Sequence, residues 1–291
     1  MDDRPRPSGL QALVPSVPSV LAAGLRRPET LAIRRPWKDS NPYSSEFAVA
    51  TLAPLLRQLG GVEGSEIYFV GHSAGCPISL RCYVEAMKDP EKFLPEGSTV
   101  GGCLIVAPAV LELSEDPDAY DFGEDDGSRI PLPLRLAAFR TLLALPDAFS
   151  IKLPRRLVER DVREALLAQT HPRMAEADMT GRVQELAEKY LAPTREFADD
   201  WDTALLNVYR ADVGNKEDLK GRRLLSEAKT VGRSRFGVLT GDTDSVVPVR
   251  ASRRVAELLG VPLQVIERCG HIPMDEVPEE FASRVLDFIH S

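Results

Sequence analysis

The chain has 291 residues, 43% hydrophobic and 27% charged, which is enough apolar material for one large domain or two small ones and too much for a disordered chain. Lys and Arg number 36 against 44 Asp and Glu, a net charge of −8, so the charge balance gives no support to nucleic-acid binding. No apolar run approaches the ~18 to 20 residues that cross a bilayer.

The N-terminus opens Met1-Asp2-Asp3 and lacks the apolar core of a secretory signal, and its acid is wrong for an organelle transit peptide. The cytoplasm is therefore the expected compartment, with a plastid as the alternative if an upstream segment is missing. Glu29 to Arg34 reads as a short strand and Glu46 to Leu59 has the apolar spacing of a helix. Glu66 to Val70 (EIYFV) is a β-rich run. It leads into Gly71-His72-Ser73-Ala74-Gly75 and a helical stretch to about Met87. Val100 to Val110 contains another buried-strand run.

The negative charge is concentrated next. Glu112, Glu115, Asp116, Asp118, Asp121, Glu124, Asp125 and Asp126 carry the whole acidic excess and read as a solvated loop. Residues 112–233 are too long for a structureless connection. Helical patterns over Leu132 to Leu145, Arg155 to Gln169, Gly181 to Leu191 and Asp199 to Ala211 mark them as a helical insert, or cap. Alternation then resumes: strand Arg235 to Thr240, helix Val249 to Leu259, strand Leu263 to Glu267, helix Pro278 to His290. The fold class is α/β, a mostly parallel sheet covered on both faces, with a core of residues 1–111 and 234–291 and a cap (lid) of 112–233.

Gly71-His72-Ser73-Ala74-Gly75 fits G-x-S-x-G in the setting that makes it a nucleophile elbow, after a strand and opening a helix. The two glycines are expected where backbones cross closely. The turn would lift the Ser73 hydroxyl clear of the sheet, and the helix N-terminus would offer the Ala74 N–H to a developing oxyanion. A serine needs a base, and the base an orienting acid. Of four histidines, His72 adjoins the serine but should point away from it, His171 lies in the insert and His290 is penultimate. His271 lies in Cys269-Gly270-His271-Ile272-Pro273, the loop before the last helix. For the acid, Gly241-Asp242-Thr243-Asp244 follows a strand, so both aspartates sit at a carboxyl end, where sites in open α/β sheets gather.

These motifs, GHSAG at 71–75, GDTDSVVP at 241–248 and GHIPMDEVPEEF at 270–281, resemble the α/β-hydrolase superfamily, in its serine esterase and lipase-like branch with a helical cap. The chain order Ser, Asp, His is that superfamily's. In its G-x-x-D-x-x-V-P pattern the acid is the second aspartate, Asp244, which leaves Asp242 to support the loop. Residues 34–59 resemble the stretch before the elbow, and NPYS with GHSAG is similar to plant and algal sequences. The resemblance covers about residues 29–110 and 234–290.

It implies a serine hydrolase acting on a carboxylic ester or thioester of a small apolar acyl group, with Ser73, His271 and Asp244 catalytic and Ala74 binding the oxyanion. Phe139, Phe149, Leu153 and Met174 are the cap residues that would wall an acyl pocket. No cofactor or metal is expected, since there is no H-E-x-x-H and no Cys/His ligand spacing. Serine at the elbow, where epoxide hydrolases and haloalkane dehalogenases of the superfamily carry aspartate, argues against those reactions.

One departure stands out. Relatives carry a His-Gly loop that donates a second oxyanion hydrogen bond, and here the equivalent region near residue 9 reads Arg6-Pro7-Ser8-Gly9-Leu10. The N-terminal strands are thus expected to be missing, either as in a shortened product of a longer gene or with Gly9 or another early residue supplying a substitute oxyanion donor. The alternative function is a non-catalytic or weakly active small-molecule-binding homologue. Cys76, Cys82, Cys103 and Cys269 form no CxxC pair, and Cys76 and Cys82 read as small core side chains.

Overall fold

The computed structural model describes residues 45–59, 64–111, 221–231 and 235–291, with Glu185, Glu188, Lys189, Ala192 and Glu196. The strand expected at Glu29 to Arg34, the question of missing N-terminal strands, and Phe139, Phe149, Leu153 and Met174 lie outside the described residues. Those five single residues are each helical, and among the described residues no helix is long and apolar enough to cross a membrane.

Among the described residues, four parallel strands form one sheet in chain order: β1 (Glu66–His72), β2 (Thr99–Val106), β3 (Phe236–Gly241) and β4 (Leu263–Ile266). The parallel pairing follows from the alternation with helices, because each return to the same sheet edge needs a crossover. His72 aligns with Val106, Val106 with Leu239, and Gly241 with Ile266. All four strands therefore release their next loop at one edge, which gathers the serine, aspartate and histidine motifs there.

The period of two along the strands divides the core into two layers. Cys103 and Ile105 of β2 face one layer, with Phe69 of β1 and Val238 of β3. There they meet α1 (Ser45–Leu59) through Val49, α2 (Gly75–Lys88) through Cys76, Leu80, Tyr83 and Val84, α4 (Gly221–Thr230) through Leu224 and Leu225, and α5 (Val249–Leu259) through Val255 and Leu259. A short helix, α3 (Pro90–Phe93), adds Phe93, whose ring lies edge-on to Phe69 at 6.3 Å. Leu104, Val106, Leu239 and Ile266 point to the other face and meet Phe288 of α7 (Pro278–His290). Each such fully buried aliphatic side chain contributes about 1.5–3 kcal/mol. Helix α4 lies inside the span read as the insert, yet its Leu224 and Leu225 are in the layer that covers the sheet.

Helix ends are set by recognisable residues. Pro77 stands in the first turn of α2, where an N–H is unpaired in any case, and Pro273 and Pro278 open α6 (Pro273–Glu276) and α7. Arg235 donates to the Ile289 carbonyl at 2.9 Å and to the Tyr68 hydroxyl at 3.2 Å, so a cation closes the C-terminus of α7 against β1.

Candidate active site

Ser73 follows directly on β1 with φ of +51°, in the left-handed region that costs a non-glycine residue roughly 1–2 kcal/mol. Its neighbours hold it there. The Ser73 N–H donates to Val106 O at 2.9 Å, at the end of the adjacent strand, and Ser73 O accepts from the N–H groups of Cys76 and Ala109 at 3.0 and 3.3 Å. A Cβ on Gly71 would stand 2.7 Å from Ser79 Oγ and 2.8 Å from Cys76 Cα, so the strand passes too close to the helix for any side chain. Gly75 differs from expectation: no described atom lies within 4 Å of a Cβ built there.

His271 is buried in the loop between β4 and α6. Its Nε2 lies 3.0 Å from Ser73 Oγ, and its Nδ1 lies 3.0 and 2.9 Å from Asp244 Oδ1 and Oδ2. A carboxylate only accepts, so in the neutral ring Nδ1 carries the hydrogen and Nε2 is left to accept from the serine hydroxyl. Asp244 is buried as well, and its Oδ1 accepts the N–H groups of Val246 and Val247 at 2.9 and 2.8 Å. Those bonds fix the carboxylate before it meets the imidazole. The structure thus brings Ser73, His271 and Asp244 into one hydrogen-bonded line, while Ala74 stands exposed as the N-cap residue of α2.

Asp242 does not touch the ring. Its Oδ1 accepts the Cys269 N–H at 3.0 Å, and Thr243 donates from both N–H and Oγ1 to Cys269 O at 3.0 Å. Gly241 lets the two loops meet: a Cβ there would lie 2.2 Å from the carbonyl oxygens of Cys269 and Gly270. Spacing does not tell the two aspartates apart; their contacts separate a ring partner, Asp244, from a loop brace, Asp242.

Two residues of this neighbourhood carried no role in the sequence reading. His72 Nε2 donates to the backbone carbonyl of His271 at 2.8 Å, with the two rings 4.8 Å apart. Burial holds its pKa below the usual histidine value. Glu276 is buried and accepts the N–H groups of Gly270 and Ile272 at 2.9 and 3.1 Å. Both lie inside quoted motifs, but the motifs alone do not show their partners: His72 reaches the loop from 199 residues away in sequence, and Glu276 folds back on amides four and six residues before it.

The cysteine thiols stand outside that hydrogen-bonded line: Cys76 Sγ donates to Val106 O at 3.4 Å and Cys269 Sγ to Gly270 O at 3.7 Å. Burial pushes the thiols of Cys76 and Cys82 up to about 12 and raises those of Cys103 and Cys269, so all four are unionised and poor nucleophiles at neutral pH. Among the described residues no group of three or more His, Cys, Asp or Glu is placed to hold a metal ion.

Comparison with known proteins agrees with this architecture. A family model described as the alpha/beta hydrolase family matches residues 8–284. No curated protein sequence matches the chain. Among solved structures, a serine hydrolase involved in carbazole degradation is similar at a TM-score of 0.52 and 18% identity, over 87% of this chain and 74% of that one. An N-acyl homoserine lactone degrading enzyme, Est816, gives 0.51 and 17% over 87% and 77%. A thermophilic esterase from Thermogutta terrifontis gives 0.51 and 16% over 85% and 74%.

Proposed function

The chain belongs to the alpha/beta hydrolase family, and from that premise we propose that it is a serine hydrolase cleaving a carboxylic ester or thioester through an acyl-enzyme on Ser73. The single observation that carries the reading is the unbroken line of hydrogen bonds from Ser73 Oγ through His271 to Asp244.

The chemistry follows from that line. Ser73 Oγ attacks the acyl carbonyl as its proton passes to His271 Nε2. The imidazolium so formed is stabilised by the Asp244 carboxylate on Nδ1. The carbonyl oxygen, now negative, is met by the Ala74 N–H at the N-terminus of α2. His271 then delivers its proton to the departing alcohol or thiol, and the C–O or C–S bond breaks. Water repeats the sequence on the acyl-enzyme: His271 takes its proton, the hydroxyl adds to the carbonyl, and Ser73 leaves reprotonated. A small apolar acyl group is the proposed substrate, with Phe139, Phe149, Leu153 and Met174 proposed as walls of its pocket.

Turnover of short-chain p-nitrophenyl esters tests the proposal. Ser73→Ala should reduce hydrolysis to the rate of buffer alone. Retained turnover in that variant would remove Ser73 from the nucleophile's role.

A further inference from the structure

The loop that carries His271 is held by a carboxylate with no part in the proposed reaction. Glu276 belongs to the four-residue helix α6 and is only 7% exposed. Its Oε2 accepts the Gly270 N–H at 2.9 Å and its Oε1 accepts the Ile272 N–H at 3.1 Å. One side chain therefore grips the backbone immediately before and immediately after His271. The Glu276 N–H also donates back to Ile272 O at 3.0 Å, closing a ring between helix and loop.

An ionised carboxylate is costly to bury unless charge-assisted hydrogen bonds replace its water. Here those bonds fall on the peptides that orient the imidazole. The contact between His271 Nε2 and Ser73 Oγ at 3.0 Å is demanding, because displacement of a reacting group by about 1 Å costs on the order of 10²-fold in rate. From Asp244 the ring receives its tautomer; from Glu276 its loop receives a fixed place.

We infer that Glu276 is a positioning residue for His271, holding the flanking Gly270 and Ile272 amides so that the imidazole stays aligned between Ser73 and Asp244. The effect on rate rests on the hydrolase reading; the effect on the ring does not. In Glu276→Gln, the carboxamide oxygen accepts one N–H while its NH₂ group confronts the other donor. Glu276→Asp keeps the charge but is too short to span both amides, and it carries the test should the Gln variant fail to fold.

The experiment pairs steady-state kinetics on a p-nitrophenyl ester with the proton NMR signal of the His271 Nδ1–H, identified by its absence in His271→Ala. Either variant should lower kcat about 10- to 100-fold with KM within about threefold. The Nδ1–H signal should broaden or shift. A signal unchanged in a folded variant overturns the inference, whatever happens to the rate. A wild-type protein inert towards esters, whose signal is nonetheless lost in the variant, would defeat the hydrolase reading and support the positioning role.

Discussion

The side chain of His72 donates to the backbone carbonyl of His271 at 2.8 Å, so the residue preceding the candidate nucleophile is tied to the residue proposed as its base. This bond is the third hold on the histidine loop. Asp242 and Thr243 hold Cys269, Glu276 holds the amides of Gly270 and Ile272, and His72 holds the carbonyl of His271 itself.

Burial depresses the pKa of His72 below its ordinary 6.5, aided by the facing charge of His271 and opposed by the bond to His271 O and the charges of Asp244 and Asp275. The unfolded chain therefore takes up a proton at His72 more readily than the folded one. Its share of stability is fully present above pH 6.5 and falls as pH drops below that value. Urea unfolding between pH 6.5 and about 5 should show a shallower loss of stability in His72→Gln than in wild type. Identical slopes would show that His72 does not titrate differently on folding.

The two aspartates should behave differently. Asp244→Asn removes the acceptor that sets the imidazole tautomer, and kcat should fall about 10³- to 10⁴-fold. Asp242→Asn weakens one bond to the Cys269 N–H in an exposed position, and kcat should fall less than about tenfold. Equal losses in the two variants would contradict the separation of ring partner from loop brace.

Gly71 and Gly75 also part company. Gly71→Ala forces a methyl against the Cys76 backbone and should destabilise the fold by about 2 kcal/mol or more. Gly75→Ala places a methyl clear of every described atom within a helix, where alanine is favoured by roughly 1 kcal/mol, and should leave the melting temperature unchanged or higher. Thermal unfolding of both variants decides the matter.

Much of this architecture was legible in the sequence because its signals are local. EIYFV announces β1 by β-branched and aromatic density, and the helix at Val249 to Leu259 has the expected bounds. Where the backbone turns, the pattern misleads: the apolar run to Val110 continues past the end of β2 at Val106, because Ala107 turns to φ of +47°. The pairing of Ser73 with His271 could be anticipated from motif order, whereas the motif that contains Glu276 does not show what its carboxylate holds. His72 was expected to face away from the serine, and no spacing rule would have pointed it at the His271 carbonyl. The symmetry expected of the two elbow glycines failed for the same reason, since crowding at Gly71 comes from α2 crossing β1.

Whether Ser73 is a nucleophile activated by His271 is read out by covalent labelling of the folded protein with a fluorophosphonate, followed by peptide mass mapping. One adduct per chain on Ser73 is expected, absent in Ser73→Ala and slowed at least about 10³-fold in His271→Ala. A folded wild-type protein that takes up no label, or takes it up at another residue, would contradict the account.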